Sequence, residues 1–194
     1  MCKTEPVRRY RHYLLFAPSF VLGILGLIGL HFRPFPYEMK FGLFGQLLGA
    51  ALLVAALLSG AWLFAKLLPS FRHAERLMER ALICVRLSLP MIFGLAAVSS
   101  LAEELFFRGV LLPLVGVWGQ ALLFGLLHPA TRKGWGYTLF TFVAGVMFGY
   151  ATLLSGSLWP AILAHFVVNA QGFWTLRQRR EFGKWGVARG SEKA

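Results

Sequence analysis

The sequence predicts an all-α membrane protein, a polytopic bundle of about six transmembrane helices with a short, broken fourth span. Three observations lead to this fold class: an apolar composition, a series of long apolar runs, and a one-sided distribution of basic residues. Hydrophobic residues make up 57% of the 194 residues and charged residues only 14%. Soluble domains hold about 45–50% and about 25% of these classes, so a bilayer explains the composition better than a globular core does.

Apolar runs of near-membrane length follow one another along the chain. A helix needs about 20 apolar residues to cross a bilayer, and a shorter run must end within it or continue as irregular backbone. The fourth run is of this short kind and stops before Pro129. We expect the six spans over residues Leu14–Leu30, Phe41–Leu68, Leu87–Pro113, Val115–His128, Tyr137–Leu154 and Leu158–Leu176.

The segments between the spans divide the chain into three parts. Residues 1–86 hold the first two spans and a basic connector, residues 87–176 form the helical core, and residues 177–194 are a basic tail that we expect to be mobile. The connector, residues 70–86, repeats arginine every four residues, which predicts an amphipathic surface helix or a charged connecting helix. Residues 131–136 predict a turn.

A pair of glycines in the fifth span predicts close helix packing. Gly145 and Gly149 form a GxxxG pattern, which lets two membrane helices approach closely. Cysteine adds no constraint, because Cys2 and Cys84 are widely separated and form no CxxC. We therefore expect neither a disulfide framework nor a thiolate metal site.

The basic residues orient the chain across the membrane. With the N-terminus inside, 17 of the 20 Lys and Arg residues fall on the inner side. Arg33 and Lys40 fall outside, and Arg108 lies within the membrane. This bias predicts cytoplasmic N- and C-termini in the inner (plasma) membrane. It also explains the net charge of +12 by topology and contact with anionic lipid, so nucleic acid is not an expected partner.

Three charged residues stand in the otherwise uncharged stretch from Leu87 to Leu127: Glu103, Glu104 and Arg108. Intramembrane charges are costly, so they mark either a functional site or a structural ion pair. Glu104 and Arg108 are four residues apart with Glu first, which favours a structural pair on one helix face. Glu103 is rotated by about 100° from Glu104 and has no local partner. It is therefore the candidate general base.

Further polar residues occur in the later spans. His128 follows Phe124 in FGLLH, and His165 and Asn169 share one helix face in HFVVN. A lone intramembrane histidine is about as often a helix–helix hydrogen-bonding group as a catalytic one. However, depth can be counted inward from the outer end of each span at about 1.5 Å per residue. This count places Glu103, both histidines and Asn169 in the middle layer of the membrane. Such a group suits attack of water on a carbonyl, with the amide and one imidazole donating to an oxyanion.

These motifs, in this order, resemble the signatures of the CPBP family. This family comprises type II CAAX prenyl endopeptidases and bacterial abortive-infection and bacteriocin-processing proteins. The resemblance covers about residues 87–176 and leaves the first two spans and the tail unassigned. Family members with eight spans are known, whereas this chain predicts six. The matching motifs are EExxxR (Glu103, Glu104, Arg108), FxxxH (Phe124, His128) and HxxxN (His165, Asn169).

The resemblance implies a glutamate-dependent intramembrane endopeptidase that needs no cofactor. It implies that Glu103 and His128 activate water, and that His165 and Asn169 stabilise the tetrahedral oxyanion. Glu104, Arg108 and Phe124 are then supporting residues. The implied partners are the lipid bilayer and a protein or peptide substrate.

Two other readings of the same residues stay open. A zinc-dependent protease would use Glu103, His128 and His165 as ligands, although the chain has no HExxH and Asn169 is a poor zinc ligand. A non-catalytic transporter or bacteriocin-immunity protein would use the polar groups for binding only. Three substrate classes also stay open: a prenylated CAAX tail, a bacteriocin leader and a C-terminal sorting helix. The excess of Arg over Lys indicates a GC-rich bacterial genome. Because bacteria lack general CAAX prenylation, the bacteriocin leader and the sorting helix are favoured.

Overall fold

The chain folds into helices joined by short connections. The computed structural model describes residues 5–82, 85, 87–128 and 132–191, and the side chains of residues 15–82, 85, 87–128 and 132–179. Every regular element in these ranges is helical, which confirms the all-α class. The elements are α1 (Glu5–Phe32), α2 (Leu43–Leu67), α3 (Pro69–Ala81), α4 (Leu89–Glu104), a π segment (Leu105–Leu111), α5 (Leu112–Leu127), a 3₁₀ turn (Arg132–Gly134), α6 (Trp135–Ser155) and α7 (Trp159–Ser191).

Four segments of the described chain are long and apolar enough to cross a membrane. They are Leu15–Phe32, Leu43–Leu67, Leu89–Leu127 and Arg132–Ser155. The third of these covers nearly all of both the third and the fourth predicted spans. The sixth predicted span lies in α7 and is not among the four, because His165, Asn169 and Gln171 interrupt its apolar run. The protein is thus a multi-pass membrane protein.

The break between the third and fourth spans falls at Gly116, three residues after the predicted end at Pro113. Helix α4 passes without interruption into the π segment and then into α5. The wide π segment ends at Leu111, two residues before Pro113, which lacks an N–H and cannot donate in a regular helical ladder. Gly116 then adopts φ 71° and ψ −179°, a conformation that side chains disfavour. The chain reverses there, so α5 packs back against the π segment.

The helix ends differ from the prediction in two places. Helix α1 begins at Glu5, well before the predicted Leu14. Helix α7 does not end at Leu176 but continues to Ser191, so the basic tail predicted to be mobile is largely helical in its backbone. Arg179 in this extension lies 3.5 Å from the carboxylate of Glu75 on α3. Residues 192–194 lie outside the described part.

The connector and the turn take the expected forms where they are described. Helix α3 is amphipathic and buries Phe71 and Ala74, while Arg72 and Arg76 are exposed. Residues 83, 84 and 86 of the predicted connector lie outside the described residues, as do residues 129–131 of the predicted turn. The remainder of that turn is the 3₁₀ turn before α6.

Glycines set the closest helix contacts. A Cβ on Gly145 would lie 3.0 Å from the Cα of Ala121, and one on Gly149 would lie 2.7 Å from Nε2 of Gln120. The predicted close packing is therefore confirmed, and the partner is α5. Helix α1 uses the same device, because a Cβ on Gly26 would lie 3.1 Å from the backbone nitrogen of Phe106 in the π segment. The first span thus packs directly against the helix that carries the EExxxR motif.

The connections separate into two groups at opposite ends of the bundle. The backbone N–H of Lys40, in the α1–α2 loop, donates to the carbonyl of Ser155 at the α6–α7 turn over 2.9 Å. The Lys40 ammonium donates to the carbonyl of Leu153, also over 2.9 Å. At the other end, α3 packs against the 3₁₀ turn. Loops predicted to share a side of the membrane therefore lie together.

Candidate active site

A fully buried ion pair forms the base of the site. Glu104 ends α4 and Arg108 follows in the π segment, with 2.9 Å between Oε1 and Nη1. The Arg108 guanidinium carbon lies 4.5 Å from the ring centroid of Phe124 and 4.8 Å from that of Phe148. These cation–π contacts stabilise a charge that has no water around it. The predicted pair is thus present, and aromatic rings enclose it.

Gln120 on α5 shares a backbone acceptor with Arg108 of this ion pair, and it is absent from the residues that the sequence predicted. Its Nε2 donates to the carbonyls of Val117 over 3.0 Å and Gly145 over 2.8 Å. Nη2 of Arg108 also donates to the Gly145 carbonyl, over 3.5 Å. The signal available in the sequence was a lone amide in an apolar span, and the structure buries it fully. Gln120 and Arg108 together tie α5 and the π segment to α6.

Glu104 also holds His165, a contact that the sequence did not predict. Its Oε1 lies 2.8 Å from Nδ1 of His165 on α7. When the carboxylate is ionised it can only accept, so Nδ1 carries the hydrogen and Nε2 of the neutral ring presents a lone pair. The imidazole also stacks on Phe148, with 5.1 Å between ring centroids. Glu104 therefore orients a candidate catalytic side chain as well as pairing with Arg108.

Glu103 faces a different group of side chains from its neighbour, as the helical rotation predicts. Its Oε2 lies 3.5 Å from Nε2 of His128 and 3.8 Å from Nε2 of His165. Within the described part of the chain, this buried oxygen has no hydrogen-bond partner. The exposed fractions are 12% for Glu103, 25% for His128 and 6% for His165, so His128 is the most accessible of the three.

His128 caps the end of α5 and turns one nitrogen towards Glu103. Its Nδ1 lies 2.8 Å from the carbonyl oxygen of Phe124. A carbonyl only accepts, so Nδ1 donates and the neutral ring has its lone pair at Nε2. The Phe124 ring packs against the imidazole with 4.5 Å between centroids. Phe124 thus fixes the ring of His128 and also covers Arg108.

Asn169 lies one helical turn from His165 and contacts a residue absent from the sequence motifs. Its Nδ2 donates to Oγ of Ser99 on α4 over 3.0 Å. Ser99 lies one turn before Glu103, so α4 and α7 are paired antiparallel in two adjacent layers. The first layer contains Glu103 and His165, and the second contains Ser99 and Asn169. The structure therefore brings all the predicted site residues together, with Asn169 in the neighbouring layer.

The zinc alternative requires three or more protein ligands around one point. Among the described residues, no group of at least three His, Cys, Asp or Glu side chains is arranged to hold a metal ion. Nδ1 of His165 already contacts Glu104, and Nδ1 of His128 already contacts the Phe124 carbonyl.

Comparison with protein families supports the motif assignment. Residues 85–171 match the family model described as type II CAAX prenyl endopeptidase Rce1-like. The CPBP resemblance is confirmed. The Rce1-like match contains the EExxxR, FxxxH and HxxxN motifs, and it begins after α1, α2 and α3.

One curated relative is the "Uncharacterized protein YpbD" of Bacillus subtilis (strain 168). It is 30% identical over 109 residues, which cover 54% of this chain and 55% of the relative. The chain therefore spans about half the length of the relative that it matches. No solved structure matches the chain.

Proposed function

We propose that the chain is an intramembrane endopeptidase in which Glu103 and His128 activate water for attack on a peptide bond. The observation that carries this proposal is the 3.5 Å separation between Oε2 of Glu103 and Nε2 of His128. Both atoms are acceptors when Glu103 is ionised and His128 is neutral with its hydrogen on Nδ1. The Rce1-like match of residues 85–171 supports the reaction class.

The two acceptors suit a water molecule that lies beside the pair and donates one hydrogen to each. In the attack, Glu103 takes a proton, the water oxygen bonds to the carbonyl carbon, and the carbonyl oxygen becomes an oxyanion. The tetrahedral intermediate then breaks its C–N bond as the proton passes from Glu103 to the leaving amine. A new carboxyl end and a new amino end result, and Glu103 returns to its ionised form.

The oxyanion would be stabilised by Asn169 and His165. An amide N–H of Asn169 can donate directly. His165 can donate from Nε2 only when both ring nitrogens are protonated, because Nδ1 already carries the hydrogen that faces Glu104. The Glu104 carboxylate, 2.8 Å from Nδ1, fixes the orientation of the His165 ring. This arrangement supports a positioning role for Glu104 in addition to its ion pair.

The substrate would be a membrane-associated peptide segment. The proposed site lies between α4, α5 and α7 in an apolar part of the chain, so the scissile bond has to enter an apolar layer. We propose a leader peptide or a C-terminal sorting helix as the favoured substrate, and a prenylated CAAX tail as the less favoured substrate class. We propose the plasma membrane as the location, with both termini in the cytoplasm, because basic residues concentrate on the sides that this orientation places inside.

The test uses the purified full-length chain in lipid nanodiscs with three quenched fluorescent peptides. The peptides carry a farnesylated CAAX tail, a bacteriocin-type leader or an apolar C-terminal sorting helix. We expect the wild type to cleave at least one peptide. Glu103→Gln should cleave none at an unchanged Tm, because it removes the base and keeps the shape. Glu38→Gln, in the exposed α1–α2 loop, is the matched control and should retain the wild-type rate.

Two results would contradict the proposal. One is a wild type that cleaves no peptide, combined with no accumulated precursor in membranes of a deletion strain. The other is a Glu103→Gln chain that retains the cellular function, which is the outcome that a non-catalytic binding or immunity protein predicts.

A further inference from the structure

Ser99 makes the hydrogen bond that holds Asn169 in place. Oγ of Ser99 lies 3.0 Å from Nδ2 of Asn169, and it joins α4 to α7 one turn away from the layer of Glu103 and His165. No motif in the sequence includes this serine. It lies on the same face of α4 as Glu103, because the two residues are four apart.

The hydrogen bonds of Ser99 determine which way the amide group faces. The Ser99 hydroxyl donates to the carbonyl of Ala96 over 3.4 Å, so its lone pairs are left to accept from Asn169. The amide nitrogen of Asn169 therefore faces Ser99, and its oxygen faces away. An amide nitrogen carries two hydrogens in the plane of the group. With one hydrogen on Ser99, the direction of the second is fixed.

The neighbouring Ser100 provides an internal comparison. Its hydroxyl donates to the carbonyl of Ala97 over 3.2 Å, in the same local manner as Ser99. Ser100 is fully buried and Ser99 is partly buried, yet Ser100 makes no hydrogen bond to α7 among the side chains that the structure describes. The two serines thus share their side-chain chemistry and their helix, and Ser99 is the one that contacts Asn169.

We propose that Ser99 is a positioning residue that orients the Asn169 amide so that its second N–H donates to the substrate oxyanion. This proposal rests on the proposed function, since it assigns Ser99 a task within the same hydrolysis. Ser99 touches no reacting atom. It acts through Asn169, and loss of its hydroxyl frees the amide to rotate about its side-chain torsions.

The test measures kcat and KM separately for four variants in nanodiscs, with the fluorescent peptide that the wild type cleaves fastest. Ser99→Ala should lower kcat by about 10-fold to 100-fold, because the donor is misdirected, while KM changes by less than about 2-fold. Asn169→Ala should lower kcat by about 10²–10³-fold. Ser99→Thr keeps a hydroxyl and should restore most of the rate. Ser100→Ala should match the wild type.

A double variant separates positioning from general stability. Ser99→Ala combined with Asn169→Ala should be no slower than Asn169→Ala alone, because the hydroxyl acts only through the amide. The proposal is overturned if Ser99→Ala retains the wild-type kcat in an active chain. It is also overturned if Ser99→Ala and Ser100→Ala lower Tm and kcat together, or if the two losses of the double variant multiply. A wild type that is inactive on all peptides, combined with no accumulated precursor in a deletion strain, contradicts the proposed function itself.

Discussion

Glu103 and Glu104 are adjacent in the chain, but the helix gives them different partners. Glu104 is fully buried between Arg108 and His165, with 2.9 and 2.8 Å to their nitrogens. Glu103 is partly accessible and faces His128. The difference in burial and partners separates a structural and positioning acid from a candidate base.

The two acids should therefore respond differently to the same substitution. Glu103→Gln should abolish turnover at an unchanged Tm. Glu104→Gln should lower kcat because it releases His165, and it should also destabilise the fold by about 3–5 kcal/mol because it leaves Arg108 as an uncompensated buried charge. Thermal unfolding and peptide cleavage in nanodiscs measure both effects. A stable, inactive Glu104→Gln beside an active Glu103→Gln would mean that the two roles are exchanged.

The metal content of the active chain separates the glutamate mechanism from the zinc alternative. We expect the active chain to be metal-free and resistant to 1,10-phenanthroline, since the proposed base, donors and water need no Lewis acid. Elemental analysis of purified, active protein beside a chelator titration measures this. Stoichiometric zinc, with activity lost on its removal and restored on its return, would replace the proposed mechanism with metal-assisted hydrolysis by Glu103, His128 and His165.

At the scale of elements, the contact between α5 and α6 holds the buried charges in position. Arg108 and Gln120 both donate to the carbonyl of Gly145, on a stretch of α6 where glycine allows the backbone of α5 to approach. A π segment carries Arg108, and π turns in helices frequently occur at functional sites. Helix packing and site geometry are thus set by the same few residues.

Gly145→Ala should disturb this contact. Its Cβ would meet backbone and side-chain atoms of Ala121 at 3.0 and 3.1 Å, so the two helices must separate. We expect a loss of about 1–3 kcal/mol of stability and a lower kcat, because the Gly145 carbonyl moves away from Arg108. The matched control is Gly172→Ala on α7, where an added Cβ has no atom within 4 Å. Equal Tm for both variants would contradict the packing argument.

At the scale of the whole molecule, the helices alternate in direction and group their connections at two ends. The α1–α2 loop and the α6–α7 turn are joined through Lys40. Helix α3, the 3₁₀ turn and the extension of α7 gather at the other end, where Arg179 approaches Glu75. The basic residues of α3 and Arg179 of this extension lie at the second end.

Reporter fusions along the chain test the orientation. We expect a fusion at residue 36 to report outside, and fusions at residues 75 and 190 to report inside, because basic residues are retained in the cytoplasm. Alkaline phosphatase and green fluorescent protein fusions give opposite signals and check each other. An outside signal at residue 190 would contradict the six-span arrangement.

The sequence by itself determined the helical membrane class, the approximate spans, the Glu104–Arg108 pair and the different face of Glu103. These follow from local rules: an apolar run of given length becomes a helix in a bilayer, and helical periodicity decides which neighbours share a face. The close packing at Gly145 and Gly149 also follows from spacing alone. The comparison that matches residues 85–171 agrees with the motifs read from the same stretch.

Only the tertiary structure decided which distant groups meet. Glu104 and His165 are 61 residues apart, and Asn169 and Ser99 are 70 apart. Their contacts depend on how α7 packs against α4, which no local periodicity specifies. The hydrogen bond from Gln120 to the Gly145 carbonyl and the packing of α1 on the π segment have the same origin. In each case the free energy comes from burying a polar group or a backbone against a distant element, so it exists only once the helices are assembled.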